Sequence, residues 1–551
     1  MTQTRTFLLF AWLMVAALLW VEWNKEQQPA PAAAAVPAAA ARPDAAVPAA
    51  GVPTATVPGQ PAPAPAASTD AAASAPRITL RNDVLALALD GRSVVDAKLL
   101  RYPQSQAPGS PPVELFNADP ATWFAARSGW RGSDGRELVL QPEGAAREFA
   151  LAPGAAAVEA RFVATDPSGV QLRRTFTLPR GSYALRVRDE LVNAGQAPWT
   201  GDIERRLERI PPPAKRGGFA NPEAISLSGA AWYSPEDHYE KRKYPKFADD
   251  GPLDKQVAGG WVALSQHYFL AAWVPQPDQR ALYSLGVDGD LHHIEARGPR
   301  VTLAPGQRFA SEAVLWVGPK LADRLKAVAP GLDLAMDYGI FTVLSKPIHW
   351  LLTQLHKLTA NWGWAIVLLV VLIKAALYPL SAAQYKSMAK MRKFQPRIEQ
   401  LKERYGEDKQ KFQMAMLELY KKEKINPAGG CLPILVQMPV FLALYYVLVE
   451  AVELRQAPWI AGWIDDLTAR DPYFVLPVLN AAIMLLTQRM TPMVGMDPMQ
   501  KKMMQFMPLV MAVMFAFFPA GLVLYWVTNG ALGMLQQWWN TRRYAEAPAK
   551  P

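Results

Sequence analysis

The sequence has 551 residues, of which 51% are hydrophobic and only 19% are charged. This composition is too apolar for an entirely soluble protein and indicates a chain that is part membrane protein and part soluble domain. The net charge of +10 is modest, the single cysteine excludes an internal disulfide, and the six scattered histidines lack the spacing of a metal site.

The first segment in chain order, residues 1–23, contains an uncharged run of fifteen residues from Phe7 to Val21. Such a run fits a signal peptide or a short first span. Tryptophans at its outer end suit a membrane interface and favour an uncleaved transmembrane span with its N-terminus inside. Residues 24–76 consist mostly of Ala, Pro, Val, Gly and Thr, which predicts a disordered tether because this composition cannot bury a core.

Residues 77–326 show the period-2 alternation of half-buried strands, for example at Ile78 and Leu80. Short runs of this kind recur between Gly and Pro turns and predict a large, mostly antiparallel β-sandwich. One loop region in it has the residue types of a sugar-binding cluster, although a rim of ordinary loop residues explains them as well: Trp232, Tyr233, Asp237 and His238.

Residues 337–359 predict an amphipathic helix lying on the outer membrane surface. Apolar residues recur at steps of three and four, at Phe341, Leu344, Ile348, Leu351, Leu352, Leu355 and Leu358. Charged or polar residues fall on or near the opposite side, at Lys346, His349, His356 and Lys357.

Residues 362–383 predict the first long transmembrane span. Trp362 to Leu380 contains nineteen residues, about 28 Å as a helix, and Lys374 is its only charge. The lysine lies about 12 Å inside the predicted exit, which is further than its side chain can reach. Unless the helix sits shallower, the ammonium must meet water or a partner inside the membrane, as is typical of a polar cavity or substrate path.

Residues 384–426 predict a basic helical hairpin on the cytoplasmic side, with twelve Lys or Arg against six Asp or Glu. A basic surface beside a membrane attracts anionic lipid headgroups or RNA phosphate. The candidate ribosome and lipid contacts in it are Lys386, Lys390, Arg392, Lys393 and Arg397.

The rest of the chain predicts four further spans, giving six in total. The apolar run that ends at Trp539 is too long to cross once, and Pro519-Ala520-Gly521 divides it. The predicted order is a span at 430–450, a periplasmic loop at 451–472, a span at 473–488, a cytoplasmic loop at 489–502, spans at 503–518 and 520–539, and a cytoplasmic tail at 540–551. The basic loops all fall on one side of the membrane, which places both termini in the cytoplasm.

Polar residues within these spans indicate either hydrogen-bonded contacts between helices or a water-accessible chamber around Lys374. They are Gln437, Asn480, Thr487, Gln488, Gln505, Thr528 and Asn529. Methionines suited to varied apolar partners accompany them, at Met484, Met490, Met503, Met504, Met507, Met511 and Met514.

Many short motifs of the second half resemble those of the YidC membrane protein insertases. They include Tyr378-Pro379-Leu380, Gln384-Tyr385, Met388-Ala389-Lys390-Met391, Gln395-Pro396, Asn426-Pro427, Gly429-Gly430-Cys431-Leu432-Pro433, Gln437-Met438-Pro439, Asp497-Pro498-Met499-Gln500 and Phe518-Pro519-Ala520-Gly521-Leu522. The match covers roughly 200 residues. The N-terminal half fits by layout, which corresponds to the Gram-negative form of the family.

The resemblance implies a multi-span α-helical membrane protein of the bacterial inner membrane, with six spans, a five-helix insertase core and a large periplasmic all-β sandwich domain. It implies insertion and folding of inner-membrane proteins, alone or together with the Sec translocon, without covalent chemistry, nucleotide, metal or other cofactor. The implied partners are nascent membrane proteins, the Sec translocon and its accessory subunits, the ribosome and anionic lipids, and no sequence-specific nucleic acid.

The resemblance also assigns residues. It implies a substrate groove that contains Lys374, Gln437, Gln488 and Trp526, and the polar neighbours Thr528 and Asn529 are assigned to the same groove. It also implies a substrate path that passes Met438 and Phe441. The family usually has arginine where Lys374 stands. The ribosome-binding tail is short here, with Arg542 and Arg543 near its end.

Two other classes remain as alternatives. A secondary transporter also places charge and amides near mid-membrane, but it usually has an internal repeat, and the sequence shows none. A membrane-anchored, glycan-binding envelope protein would act through the β domain, but six spans and a basic hairpin exceed what an anchor requires.

Overall fold

The computed structural model of the chain describes residues 77–213, 226–405, 408–423, 432–490 and 498–545. The predicted first span at 1–23 and the tether at 24–76 lie outside these residues. Among the described residues, Gln400–Lys421 belongs to one compact unit, and the others form a second unit.

The first sheet of the second unit has the strand order β14-β17-β18-β11-β5-β3-β2-β1-β7, with β19 beside β11 and β4 beside β3. Its described strands are antiparallel except for the parallel pair β1 and β7. They are β1 (Ile78–Arg81), β2 (Leu85–Leu89), β3 (Ser93–Pro103), β4 (Pro112–Phe116), β5 (Phe124–Gly132), β7 (Glu148–Ala150), β11 (Trp199–Arg209), β14 (Asp254–Val257), β17 (Ala281–Asp288), β18 (Leu291–Arg297) and β19 (Val301–Leu303).

The second sheet has the order β13-β12-β15-β16-β20-β10-β9-β8-β6 and is antiparallel throughout its described strands. They are β6 (Gln141–Pro142), β8 (Ala157–Thr165), β9 (Val170–Pro179), β10 (Ala184–Asn193), β12 (Gly229–Ser234), β13 (His238–Lys243), β15 (Trp261–Ser265), β16 (Phe269–Pro275) and β20 (Arg308–Pro319). Alternate residues of its strands are buried, as in β8 and β9, so the period-2 pattern of the sequence corresponds to a core-facing side.

A buried ion pair joins the two sheets across this core. Arg174 on β9 donates to Asp189 on β10 at 2.6 and 2.7 Å, and both side chains are almost completely buried. Trp130 on β5 donates to the same carboxylate at 2.8 Å, and Arg174 donates to the Ser128 carbonyl at 2.6 Å. The two sheets therefore form one sandwich, with a polar contact at its centre that the alternation pattern did not reveal.

Replacing Asp189 with asparagine is expected to destabilise the sandwich by about 3–5 kcal/mol, because Arg174 would remain buried without its counter-ion. Thermal unfolding of the full chain, followed by tryptophan fluorescence, measures this as a lower transition temperature. Glu190→Gln is the matched control, since the pair Arg188–Glu190 on the same strand is about half exposed and should contribute 0–1 kcal/mol. Equal transition temperatures for the two variants would contradict the prediction.

Helices follow the sandwich. They are α1 (Ala322–Val328), α2 (Thr342–Thr359), α3 (Trp362–Ala376), α4 (Tyr378–Lys393), α5 (Gln395–Tyr405), α6 (Lys409–Lys422), α7 (Leu432–Glu450), α8 (Val475–Met490), α9 (Pro498–Phe515) and α10 (Ala520–Ala545). Short 3₁₀ helices lie at Tyr244–Lys246, Leu332–Ala335, Gly339–Phe341 and Val452–Leu454.

Helix α2 occupies most of the predicted amphipathic segment. His349, which the sequence placed on or near the polar side, is buried at 8% exposure. Val343, Trp350 and Leu358 are instead exposed, at 84%, 62% and 77%. The helix therefore packs against the protein through a mixed face and leaves an apolar side uncovered.

The predicted span at 362–383 is divided at Leu377 into α3 and the first part of α4. No single helix in the described ranges is both long and apolar enough to cross a bilayer, whereas Trp362–Ala376 and Tyr378–Tyr385 meet both requirements together, with a bend of 63°. Pro379 accounts for the break, because it has no N–H and its ring opposes the carbonyl four residues earlier.

Other predicted boundaries also shift. Helix α9 begins at Pro498, inside the predicted loop at 489–502, and α10 continues to Ala545, past the predicted end at 539. The added residues of both helices are largely polar, so they lie outside the apolar runs from which the spans were predicted. The break at Pro519 between α9 and α10 is present as predicted.

The start of α3 is held by a loop of the predicted periplasmic segment 451–472. The Asn361 side chain caps α3 by accepting from the Trp364 amide at 3.1 Å and donates to the Trp459 carbonyl at 3.0 Å. A Cβ on Gly363 would lie 2.2 Å from the Trp459 ring, so only glycine permits this close approach.

The sandwich and helix α7 meet through a second buried ion pair. Lys320, which follows β20, lies 3.3 Å from Glu450 at the end of α7, and the two side chains are 0% and 1% exposed. Ser226 donates to the other oxygen of Glu450, and His267 lies 2.8 Å from the Val449 carbonyl. Glu450 had marked only the end of an apolar run in the sequence, and here it connects two parts of the fold.

Candidate functional site

A cavity of about 480 Å³ lies among helices α3, α4, α8, α9 and α10. Its described walls are Lys374, Tyr385, Ile483, Met484, Thr487, Gln488, Met504, Met507, Pro508, Asn529, Gly530, Gly533 and Met534. The wall residues of α3 and α4 lie about 100 residues or more before those of α8, α9 and α10 in the sequence. The cavity is thus a product of helix packing.

Lys374 supplies the charge of this cavity. Its side chain is half-buried beside Gly533 of α10. Within the part of the chain that the structure describes, Lys374 has no hydrogen bond and no ion pair. A half-buried ammonium with no internal partner can attract an acidic group that enters the cavity.

Tyr385 fixes the neighbouring wall. Its hydroxyl donates to the Gly533 carbonyl at 3.0 Å, which connects α4 to α10 next to Lys374. The sequence motif Gln384-Tyr385 was noted only as part of the family resemblance. Its position one helix away from Lys374 could not be derived from spacing.

The predicted groove residues separate into two groups. Lys374, Gln488 and Asn529 line the cavity. Gln437 does not line it but donates to Asn529 at 2.8 Å, so it orients an amide that does. Gln488 donates to the Met504 carbonyl across the gap between α8 and α9.

Thr528 and Trp526 are not among the cavity walls. Thr528 donates to the Leu524 carbonyl of its own helix at 2.8 Å. Trp526 is half-buried in an aromatic cluster, with ring centroids 4.3 Å from Phe515 and 5.0 Å from Phe441. Both residues make contacts within the protein, and their place in a substrate groove stays a prediction.

The predicted path residues lie on α7. Phe441 packs on Trp526 and, at 5.8 Å, on Tyr525, while Met438 is half-buried. Neither lines the cavity. Their role in substrate passage stays a prediction.

The methionine wall is partly as predicted. Met484, Met504 and Met507 line the cavity. Met534 was missed, although its place in the last apolar run beside Gly533 was visible in the sequence. Met490, Met503, Met511 and Met514 are not cavity walls.

The basic contact residues are described only in part. The side chains of Lys386, Lys390, Arg392 and Lys393 lie outside the described residues. Arg397 is exposed and lies 2.9 Å from Glu423. In the tail, Arg543 is exposed, and Arg542 lies 4.1 Å over the Trp538 ring.

The cluster considered for sugar binding is occupied by contacts within the sandwich. Trp232 is 4% exposed and donates to Glu240 at 2.7 Å. Tyr233 stacks on Trp261 at 6.1 Å, and Asp237 pairs with Lys255. An aromatic platform for a sugar is therefore not available at Trp232.

Two family models match the chain. Residues 77–351 match the YidC periplasmic domain, and residues 354–547 match the 60Kd inner membrane protein. The membrane protein insertase YidC of Stenotrophomonas maltophilia (strain R551-3) is 54% identical over 564 residues, which cover 100% of this chain and 98% of the relative. The chain belongs to the YidC family of membrane protein insertases.

A second YidC relative, from Xanthomonas campestris pv. campestris (strain 8004), is 56% identical over 571 residues and covers 100% of this chain and 99% of its own length. A solved structure described as an active YidC insertase with the first transmembrane domain resolved matches with a TM-score of 0.36 and 19% identity, covering 84% of this chain and 94% of that chain. The YidC family consists of inner membrane proteins, this chain includes its periplasmic domain, and the function named for the relatives is not enzymatic.

Proposed function

We propose that this chain inserts and folds proteins of the inner membrane, alone or together with the Sec translocon. The observation that carries the proposal is the cavity around Lys374, where a half-buried cation without an internal partner, two amides and a methionine wall come together. The chain's membership of an insertase family supports the same function.

The proposed arrangement has six spans, with both termini in the cytoplasm and the sandwich in the periplasm. The distribution of Lys and Arg among the loops supports it. The five-helix core would consist of the bent pair α3 and α4 together with α7, α8, α9 and α10. The cavity would open to the cytoplasm and to lipid.

In the proposed mechanism the short polar outer segment of a substrate enters the cavity while partly hydrated. This lowers the free energy of carrying its polar groups into hydrocarbon. Lys374 attracts acidic residues in that segment, and Asn529 and Gln488 offer hydrogen bonds. The apolar part of the substrate passes the methionines into lipid, and its transfer out of water provides the driving force.

The proposed partners follow from charge. The hairpin at 384–426 and the arginines of the tail would contact the ribosome and anionic lipids, because basic groups beside a membrane attract phosphate. Exposed Arg542 and Arg543 support this for the tail. The Sec translocon and its accessory subunits are proposed as partners on the family resemblance.

Purified protein in liposomes, with no other component, provides the test. The substrate is a small, freshly synthesised two-span protein with an acidic outer loop, and insertion is scored as protection from protease. We expect clear protection above empty liposomes. Protection no greater than in empty liposomes would overturn autonomous insertion, and leakage of small solutes without protection would favour a transporter.

A further inference from the structure

A second cavity lies among the helices that follow the last strand of the sandwich. Its volume is about 410 Å³, and it is enclosed by α1, the 3₁₀ helix Leu332–Ala335, α2 and the 3₁₀ helix Val452–Leu454. It is separate from the cavity around Lys374, with which it shares no wall residue. None of the steps proposed for insertion involves this cavity.

Two polar atoms buried in this cavity have no hydrogen-bond partner in the described protein. His349 is 8% exposed, and its Nε2 lies 3.8 Å from a carboxylate oxygen of Glu453, which is too far for a hydrogen bond. Both Nε2 of His349 and Oε2 of Glu453 are buried without a hydrogen-bond partner in the described protein. Buried polar groups of folded proteins are normally paired, so these two atoms indicate a ligand that offers hydrogen-bond donors.

The charges around the cavity favour a cation at this inner wall. Within the described residues, no lysine or arginine pairs with Glu453 or with Asp323, which is exposed on α1. Two nearby bases already have partners: Lys346 pairs with Asp333, which also lines the cavity, at 2.7 Å, and Arg324 donates to the Gly181 carbonyl at 2.6 Å. A protonated amine can donate to Glu453 and to the unprotonated nitrogen of a neutral His349 at the same time.

The exposed mouth of the cavity contains bases as well as the carboxylate of Asp323. Lys326 is exposed on α1, and Trp350 is 62% exposed on α2. An exposed lysine suits a phosphate, and an exposed tryptophan suits the polar–apolar boundary of a membrane. Trp350 also belongs to the apolar side of α2 that includes Val343 and Leu358.

We propose that this cavity binds a phosphoethanolamine headgroup, with the ammonium at Glu453 and His349 and the phosphate at Lys326. The ligand combines an inner donor cation with an outer anion, which matches the buried, unpaired Glu453 oxygen and the exposed Lys326. An ethanolamine phospholipid of the outer leaflet provides this group beside α2. The inference rests on the proposed function only in placing α2 at the membrane surface.

Binding is expected to depend on pH. Burial raises the pKa of Glu453 to about 7, with Asp323 contributing in the same direction, and burial lowers the pKa of His349. The other charged groups facing the cavity are Asp323, Arg324, Lys326, Asp333 and Lys346. Glu453 becomes a carboxylate as pH rises through about 7, so the affinity should increase by about tenfold between pH 6 and pH 8.

The test uses the purified full chain in detergent after removal of native lipid. Binding of a phosphatidylethanolamine and of a phosphatidylcholine with the same acyl chains is measured by native mass spectrometry. Phosphatidylcholine is the matched probe because its quaternary ammonium has no N–H donor. We expect about tenfold preference for phosphatidylethanolamine, and about tenfold loss of that binding in Glu453→Gln.

Two further variants separate binding from folding. Lys326→Glu changes an exposed residue and should weaken binding without altering the thermal transition of the lipid-free protein. Glu143→Gln, an exposed carboxylate on the sandwich, is the matched control and should bind as the wild type does. Retention of wild-type binding in both Glu453→Gln and Lys326→Glu, or equal binding of the two lipids, would overturn the proposal.

Competition by soluble headgroups identifies the source of the ligand. Displacement of bound lipid by phosphoethanolamine but not by phosphocholine supports the site. Equal affinity for the soluble headgroup and the lipid would also support it, and would show that the acyl chains contribute nothing to the binding free energy. Displacement by both headgroups overturns the inference. A protein that fails the insertion test yet discriminates the two lipids would retain this site, so the two proposals fail independently.

Discussion

Replacing Lys374 with methionine is expected to reduce protease protection of a substrate with an acidic outer loop by about tenfold or more. A charge-assisted interaction with a carboxylate contributes roughly 1.5–3 kcal/mol, and a change of 1.4 kcal/mol is a tenfold change in an equilibrium. Methionine keeps the length and apolar character of the stem. The measurement is the fraction of substrate protected in liposomes that contain each variant.

Three controls isolate the charge at this position. Lys374→Arg should retain most protection, because it keeps the cation. Lys357→Met removes an exposed lysine of α2 and should leave protection unchanged. A substrate whose outer loop has been made neutral should be inserted equally by wild type and Lys374→Met. If the acidic substrate is also protected equally, Lys374 is not the attracting group, although the insertase proposal would stand.

Replacing Glu450 with glutamine is expected to loosen the contact between the sandwich and α7. Lys320 would remain buried without a counter-ion, which destabilises the contact by about 3–5 kcal/mol. Local opening should therefore become at least about 100-fold more frequent. Hydrogen exchange of the full chain measures this as faster exchange of amides at the end of α7 and next to Lys320.

A double variant distinguishes loss of the ion pair from general damage. Lys320→Met combined with Glu450→Gln removes both charges and should recover part of the protection that Glu450→Gln loses, because no isolated buried charge remains. Glu423→Gln is the matched control, since its partner Arg397 is 62% exposed. Exchange in Glu450→Gln at the wild-type rate would show that the contact is held by packing alone.

Local patterns in the sequence carried much of the architecture. Alternation at Ile78 and Leu80 predicted strands that face a core, and the structure confirms a β-sandwich. The run containing Lys374 predicted a helix with an unusual internal charge, and Pro519 predicted the break before α10. These features depend on neighbours within a few residues, so periodicity and proline chemistry are enough to detect them.

The candidate site was predictable only in part. Lys374, Gln488 and Asn529 were recognised as polar residues in apolar helices, and all three line the cavity. Trp526 and Thr528 were expected in the same groove but do not line this cavity; Trp526 packs in an aromatic cluster, and Thr528 donates to a carbonyl of its own helix. The rotation of a helix about its own axis decides which of its residues face a cavity. A uniformly apolar helix has no periodic pattern in its sequence that would indicate this rotation.

The sequence by itself determined the division into a β-rich region and apolar helices, the position of a lysine within an apolar helix, and the family. Only the tertiary structure decided that Glu450 pairs with Lys320, 130 residues away, that Arg174 joins the sheets, and that His349 and Glu453 meet in one cavity. In all three cases groups from distant parts of the chain meet, and for Lys320 and Arg174 the physical reason is the same. Burial of a charged group is tolerated when a partner arrives from a distant part of the chain, and a local pattern contains no information about that partner.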